Sequence, residues 1–308
     1  MALEYAKVLK RMAARFLVVG RGDDSARRLE DDLGCAVIRG GLGAFLRHRH
    51  SAPAKAAIVA VDADQAFEVM SDLIDHGVGR LLVEKPGAVS RTQLRELEGA
   101  RARHGVEAFV GYNRRFYGSV ARAMDIIADD RGATSIHFDF TEWVDEVPSL
   151  PLSDRVKRFW VITNSSHVID LAFFLAGRPR EIATFHEGQL DWHQSSSIFS
   201  GAGTTETGAL FSYDANWGAP GRWSVEVVTR NHRLLFRPLE ILQLQEKGTL
   251  TWEPVAVDRS WDEQHKPGLY RQTEAFLQND LRHLKTLYQQ VHDFDLWYRI
   301  AGYDDRNE

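Results

Sequence analysis

Five short apolar runs, each followed by helical spacing, fill the first part of the chain and constrain its fold more than any other feature. They are Phe16-Leu-Val-Val19, Cys35-Ala-Val-Ile38, Ala56–Val61, Leu81-Leu-Val83 and Ala108-Phe-Val-Gly111. Each is too short for a helix and apolar at successive positions, as a strand covered on both faces must be. Between them, Ala26/Leu29/Leu33 and Ala66/Met70/Leu73 recur at helical spacing and stop at Gly34 and Gly77. Asp62 is placed to cap the second of these helices. Ser90-Arg-Thr-Gln93 is a capping-box pattern that opens another. Such alternation predicts an α/β domain with a doubly wound parallel sheet over residues 1–117.

Beyond about residue 130 the texture changes. Residues 134–143 alternate, with Ile136, Phe138 and Phe140 on one side. Strand-like runs return at Ser197–Tyr213 and Trp223–Leu244, and one strong helix, Asn164–Leu175, interrupts them. The tail from Tyr270 to about Ile300 reads as helical. Residues 118–308 are therefore expected to form an α+β domain on an open, largely antiparallel sheet.

The stretch Phe16–Ser25, FLVVGRGDDS, has the outline of a dinucleotide turn, yet Asp23 and Asp24 stand where pyrophosphate would approach. The third glycine of the G-x-G-x-x-G pattern is also absent. The stretch suits the second strand of such a fold better. At that strand's carboxyl end, Arg21 and the Ser25 hydroxyl would meet the 2′-phosphate of NADP, with Asp23 or Asp24 capping the helix. Residues 1–15, with a stripe of Leu3, Ala6, Leu9, Met12 and Ala13, then read as the preceding helix. The first strand and the phosphate turn would lie upstream of Met1.

A net charge of −5 argues against a general nucleic-acid or membrane surface. No apolar run approaches the roughly 18 residues of a spanning helix. The one cysteine, Cys35, excludes an intrachain disulfide, and cytoplasmic residence is expected. His48 and His50 in LRHRHS lack carboxylate or thiolate neighbours at ligand spacing and read as a solvated helix end; no metal is expected.

Two motifs could carry chemistry. Glu84-Lys85-Pro86 follows a buried strand and so falls at the carboxyl edge, where open α/β sheets bind ligands. A lysine there can donate a proton to, or polarise, a developing alkoxide. In NSSHVID, Asn164 is a good N-cap, and His167 and Asp170 share a helix face at i, i+3. An imidazole in a first turn has its cationic form disfavoured by the helix dipole, which suits a neutral base.

LLVEKPGA, then VGYNRRF, then NSSHVID, in that order, resemble the glucose–fructose oxidoreductase/inositol dehydrogenase (Gfo/Idh/MocA) family. The resemblance covers most of the chain. It implies a Rossmann-type domain, here lacking its first strand, and NAD(P)-dependent hydride transfer on a sugar or nucleotide-linked sugar. Lys85 and His167 match the family's catalytic lysine and histidine, and the Lys85–Pro86 bond is often cis in the family. Cofactor contacts are implied at Arg21, Ser25, Val61, Asp62, Glu84, Lys85, Pro86 and Asn113, with NADP favoured over NAD by Arg21. Substrate contacts are implied at Tyr112, Arg115, Thr163, Asn164 and His167, with Trp217, Arg222 and Lys266 lining a carbohydrate pocket. The family often forms dimers or tetramers, and a homo-oligomer is expected. Thr163 stands where many members carry an aspartate, and VDADQA lacks their histidine. A second reading therefore stays open: a non-catalytic cofactor- or sugar-binding protein on this scaffold, or an inactive shortened form.

Overall fold

The expected alternation is realised in the computed structural model, which describes residues 1–47 and 54–303. Its chain divides into two compact units. One is Met1–Gly111 with Leu269–Val291; the other is Tyr112–Gly268 with the chain from His292 on. The first crossing therefore precedes YNRRF instead of following residue 117, and a stretch near the end belongs with the first unit.

The first unit runs α1 (Ala2–Arg11), β1 (Val18–Val19), α2 (Asp23–Leu33), β2 (Val37–Ile38), α3 (Gly41–Leu46), β3 (Ala56–Val59), α4 (Ala66–Asp75), β4 (Arg80–Glu84), α5 (Arg91–His104) and β5 (Glu107–Gly111). Strands β3, β4 and β5 are parallel, with Val59, Val83 and Val110 in register. Leu81, Leu82 and Val83 are fully buried, as expected of a strand covered on both faces. Strands β1 and β2 form a separate parallel pair, Val18 opposite Val37. Among the described residues no ladder joins that pair to β3, so the parallel sheet is in two pieces.

Several expected details differ. The buried face of α1 is Tyr5, Ala6 and Val8, while Ala13 lies beyond the helix and is exposed. The helix is covered on more than one side: Ala6 joins Leu29, Leu33 and Val37 in one cluster, and Tyr5 reaches Glu84. Gly22 is the N-cap of α2, so Asp23 and Asp24 sit inside its first turn and favour it through the helix dipole without capping it. Asp62 does not cap α4, which opens one turn later after Gln65; its carbonyl accepts the Gln65 N–H instead. Ser90 does cap α5, its hydroxyl accepting from the Gln93 N–H at 3.4 Å.

The second unit runs α6 (Gly118–Asp129), β6 (Ser135–Asp139), α7 (Asp154–Arg158), α8 (Ser166–Ala176), β7 (Pro179–Glu187), β8 (Ile198–Thr205), β9 (Leu210–Asn216), β10 (Ser224–Val228), β11 (His232–Phe236), β12 (Leu242–Glu246), β13 (Glu253–Pro254) and α9 (Ser260–Gln264). Its eight strands lie in the order β13-β12-β11-β10-β6-β9-β8-β7. Every pairing is antiparallel except β6 with β9. Phe211, Tyr213 and Ala215 of β9 are buried, and the alternate residues face outward. Helix α8 covers the buried face: Phe173 meets Phe138 at 5.5 Å and Phe211 at 5.1 Å, both edge-on.

The tail is not one helix. It breaks into α10 (Leu269–Gln278), β14 (Lys285–Thr286) and α11 (Leu287–Ala301). Asn279 takes a left-handed φ of 64° just past α10. Strand β14 adds to the first unit's sheet antiparallel to β5, with Lys285 opposite Val110. No helix among the described residues is long and apolar enough to cross a membrane.

Candidate functional site

In the first unit the candidate groups gather where β4 ends. Glu84 is the last residue of the strand, Lys85 follows half-buried, and the Lys85–Pro86 bond is cis. The Pro86 carbonyl accepts a hydrogen bond from Gln290 Nε2 at 2.8 Å. The Tyr5 hydroxyl donates to Glu84 Oε1 at 2.6 Å and lies 3.3 Å from Gln272 Oε1. Burial pushes the Tyr5 phenol well above its ordinary pKa, and the Glu84 carboxylate adds to the shift. Next to this edge, a side chain at Gly111 would press on the Val83 carbonyl and the Tyr5 hydroxyl, each 3.2 Å from its Cβ. The strand end is thus held from α1, β5 and α10. Tyr5, Gln272 and Gln290 were not singled out in the sequence, since they lie far from the motif along the chain.

At the ends of β1 and β2, Arg21 is exposed, flanks Gly41 and makes no ion pair among the described residues. Ser25 turns back, its hydroxyl donating to the Gly22 carbonyl at 3.0 Å. The engaged arginine is Arg39, which pairs with Glu30 at 2.5 Å and with Asp23 at 3.4 Å. Val61 and Asp62 follow β3 and are exposed. These residues fit the two ends of a dinucleotide: a cation for a ribose phosphate, and the β3 and β4 ends for a nicotinamide ribose. The first turn of α2 does not fit pyrophosphate, because Asp23 and Asp24 occupy it.

In the second unit His167 lies in the first turn of α8, only 8% exposed. Its ring meets Tyr112 edge-on at 5.8 Å and Trp223 at 6.3 Å. Tyr112 is buried, packs edge-on against Trp297, and its hydroxyl approaches Ser166 Oγ at 3.5 Å. The expected Asn164 cap is replaced by a π-helical turn over Val161–Ser165, with α8 starting at Ser166. Released from capping, Asn164 Nδ2 donates to Glu142 at 2.9 Å. Thr163 Oγ1 donates backward along the chain, to the carbonyls of Val156 in α7 and of Phe159. Asp170 is engaged by Arg115, whose Nε and Nη2 both reach it at 2.7 Å. Asn113 Nδ2 holds the Pro267 carbonyl at 2.8 Å. Trp217 is buried among Trp192, His193 and Phe199, with its indole N–H on the Phe140 carbonyl, so it belongs to the core and lines no open pocket. Lys266 is exposed.

Arg222 is placed differently. Its Nη1 lies 2.9 Å from Glu142 Oε2, and its guanidinium covers the rings of Trp143 and Trp223 at 4.7 and 4.8 Å. Glu142 also accepts from Ser165 Oγ at 2.6 Å. Burial pushes the Glu142 carboxyl above its ordinary pKa, with Ser165, Arg222 and Asn164 pulling the other way. Arg114, on the turn before α6, covers Trp223 at 4.8 Å as well. Glu142, Arg114 and Trp223 were missed from sequence. The first arginine of YNRRF was the only signal, and nothing in that segment points to a tryptophan more than 100 positions away.

Among the described residues no group of three or more His, Cys, Asp or Glu could hold a metal ion. His48 and His50 lie outside the described residues.

No family model matches this chain, and no curated protein matches it. Solved structures do. A UDP-N-acetylglucosamine 3-dehydrogenase from Acidithiobacillus ferrooxidans superposes with a TM-score of 0.75 over 99% of this chain and 95% of that one, at 13% identity. A levoglucosan dehydrogenase in complex with NADH and levoglucosan gives 0.76 over 100% and 94%, at 15% identity. A dehydrogenase from Chromobacterium violaceum gives 0.76 over 98% and 91%, at 18% identity. At such identities the likeness is one of fold, and it extends over both units.

Proposed function

We propose that this chain is an NAD(P)-dependent oxidoreductase acting on a hydroxyl-bearing or keto carbon of a sugar or nucleotide-linked sugar. The observation that carries the reading is Lys85, directly after the central strand of a parallel three-strand set, in a fold shared end to end with dehydrogenases. The cofactor, when bound, supplies the hydride acceptor or donor. Glu84, Lys85 and Pro86 would hold its nicotinamide end, and Arg21 its ribose phosphate. The Lys85 ammonium places positive charge beside the carbinol oxygen, lowering the cost of alkoxide character as the C–H bond breaks. His167, in the second unit, is the candidate for exchange of a substrate hydroxyl proton. Asn164 and Arg222, joined through Glu142, orient the sugar.

A second reading, a binding protein without turnover, is favoured by Thr163. Its hydroxyl is directed to the carbonyls of Val156 and Phe159, and it brings no charge to His167. Two measurements separate the readings: the fluorescence change of NADH or NADPH on titration with the protein, and turnover across a panel of sugars and sugar nucleotides. Saturable binding with turnover, lowered about 10²-fold or more by Lys85→Ala, supports the enzyme. Saturable binding without turnover supports the second reading, and no binding of either nucleotide overturns the enzyme and leaves, of the second reading, only a sugar-binding protein.

A further inference from the structure

Two arginines meet the ring of Trp223. The Arg114 and Arg222 guanidiniums each sit 4.8 Å from its ring centroid, and the same ring is 6.3 Å from that of His167. Two cations so close repel each other, and one of them lacks compensation. Arg222 is paired with Glu142 at 2.9 Å. Arg114 has no hydrogen bond to a side chain and no ion pair among the described residues, although it is partly buried. Two acids act on it through space. Glu240 is engaged with the Tyr117 hydroxyl, and Glu142 with Ser165, Asn164 and Arg222. Burial holds the Arg114 pKa below its ordinary value, and the Arg222 charge adds to that. A guanidinium withdrawn from water is destabilising unless a partner meets its fork of N–H donors. The planar fork matches a carboxylate or phosphate with two parallel hydrogen bonds. Trp143, 60% exposed beneath Arg222, adds an aromatic surface on which a sugar ring can stack.

We infer that the second unit binds a sugar bearing an oxyanion, and that Arg114 and Arg222, which both border Trp223, meet the oxyanion while the sugar lies toward His167. This rests on the proposed reading that the second unit carries the substrate, and it narrows that substrate to a charged class. Two sources supply the chemistry: the carboxylate of a sugar acid and the phosphate of a sugar nucleotide. The Arg222 guanidinium balances the Glu142 charge, which leaves the Arg114 charge for the oxyanion.

Calorimetric titration of the full chain without cofactor, using D-glucose, D-glucuronate and UDP-glucose as probes, tests the inference. At least one charged probe should bind tenfold or more tighter than glucose, with affinity falling as salt rises, and the tighter one identifies the source. Arg114→Ala should weaken that probe at least tenfold, and Arg114→Lys should restore part of the loss. Thermal unfolding of the ligand-free variant separates this role from a structural one. An arginine held for a ligand gives Arg114→Ala an unchanged or raised Tm, whereas an arginine that holds the fold gives a lowered one. Equal affinity for charged and neutral probes, unchanged affinity in Arg114→Ala, or a lowered Tm with affinity lost for all probes alike would overturn it. Since none of these titrations contains nicotinamide, oxyanion binding without hydride transfer would fail the proposed reaction and leave this site standing.

Discussion

Arg115 and Asp170 form a two-pronged ion pair at 2.7 Å in both contacts, with side chains 11% and 2% exposed. It ties the turn after Tyr112 to the middle of α8, one helical turn beyond His167. Burial opposes the Arg115 charge, and Asp170 more than restores it. The guanidinium also lies over Phe174 at 4.7 Å. The arginine that the resemblance marks as a substrate contact is, in this geometry, a positioning residue whose bidentate donors are already engaged.

Removing one partner leaves the other charged and buried. Arg115→Ala or Asp170→Asn should therefore destabilise the fold by about 3–5 kcal/mol, read from denaturant midpoints. Arg115→Leu with Asp170→Leu should recover a large part of that loss. A double variant as unstable as the two single losses summed would show that the packing around Phe174, not the charge pair, is what matters.

Tyr5 and Glu84 make the corresponding tie in the first unit. Tyr5→Phe removes a donor to a carboxylate at little change in volume, a loss of about 1.5–3 kcal/mol. The pH dependence has a definite sign. The folded phenol is raised well above 10.0, so the folded state keeps its proton where the unfolded chain gives it up. That contribution is complete below about pH 10 and shrinks as pH rises beyond it. Tyr117, pushed up to about 12 chiefly by burial, acts in the same direction. Unfolding midpoints should fall above about pH 10, and less steeply in Tyr5→Phe than in the parent; parallel slopes would reject the assignment.

His193 predicts the acid limb. Its Nδ1 lies 3.0 Å from the Ser196 carbonyl and its Nε2 2.8 Å from the Tyr303 hydroxyl, whose oxygen also accepts the Val161 N–H. The carbonyl requires the proton on Nδ1, leaving Nε2 to accept from Tyr303. Burial holds the imidazole down to about 4 from 6.5, so the folded state resists the proton that the unfolded chain takes up. A depressed folded pKa gives stability that is whole above 6.5 and is lost as pH falls toward 4. His193→Gln should cost stability at neutral pH yet flatten the fall between those values, measured by thermal midpoints across the window.

What was legible in the sequence follows from distance along the chain. Buried parallel strands write themselves as unbroken apolar runs, so β3, β4 and β5 were readable from Ala56, Leu81 and Ala108 onward. Strand β6 was readable from the alternation of Ile136, Phe138 and Phe140. The tail misled because Leu281 to Thr286 carries no strong breaker, and β14 exists only by pairing with β5, a tertiary effect that local pattern does not contain. Lys85 and His167 stood out as motif members. Their surroundings did not: Tyr5 meets Glu84 across 79 positions, and Glu142 meets Arg222 across 80. The mistaken caps at Asp62 and Asn164 share one cause. A capping side chain is only a local option, and a turn or a distant acid can claim the residue first.

On the proposed reading, Arg21 is the residue to test for a choice between NADPH and NADH. It stands at the carboxyl end of β1, exposed and beside Gly41, whose left-handed φ of 78° favours glycine there. Its neighbour Arg39 cannot take the same role while it bridges Glu30 and Asp23. A charge-assisted contact from Arg21 to a 2′-phosphate is worth about 1.5–3 kcal/mol, roughly ten- to a hundredfold in affinity, and less at high salt because the group is solvated. Arg21→Ala should therefore weaken NADPH about tenfold or more while leaving NADH within about twofold, as read from fluorescence titrations at low ionic strength. Equal losses for both nucleotides would mean that Arg21 meets a group common to the two. Arg21 follows a two-residue strand and makes no ion pair among the described residues, while Arg39 and Arg27 engage Asp23 and Asp24, and that is the reason to expect the unequal result.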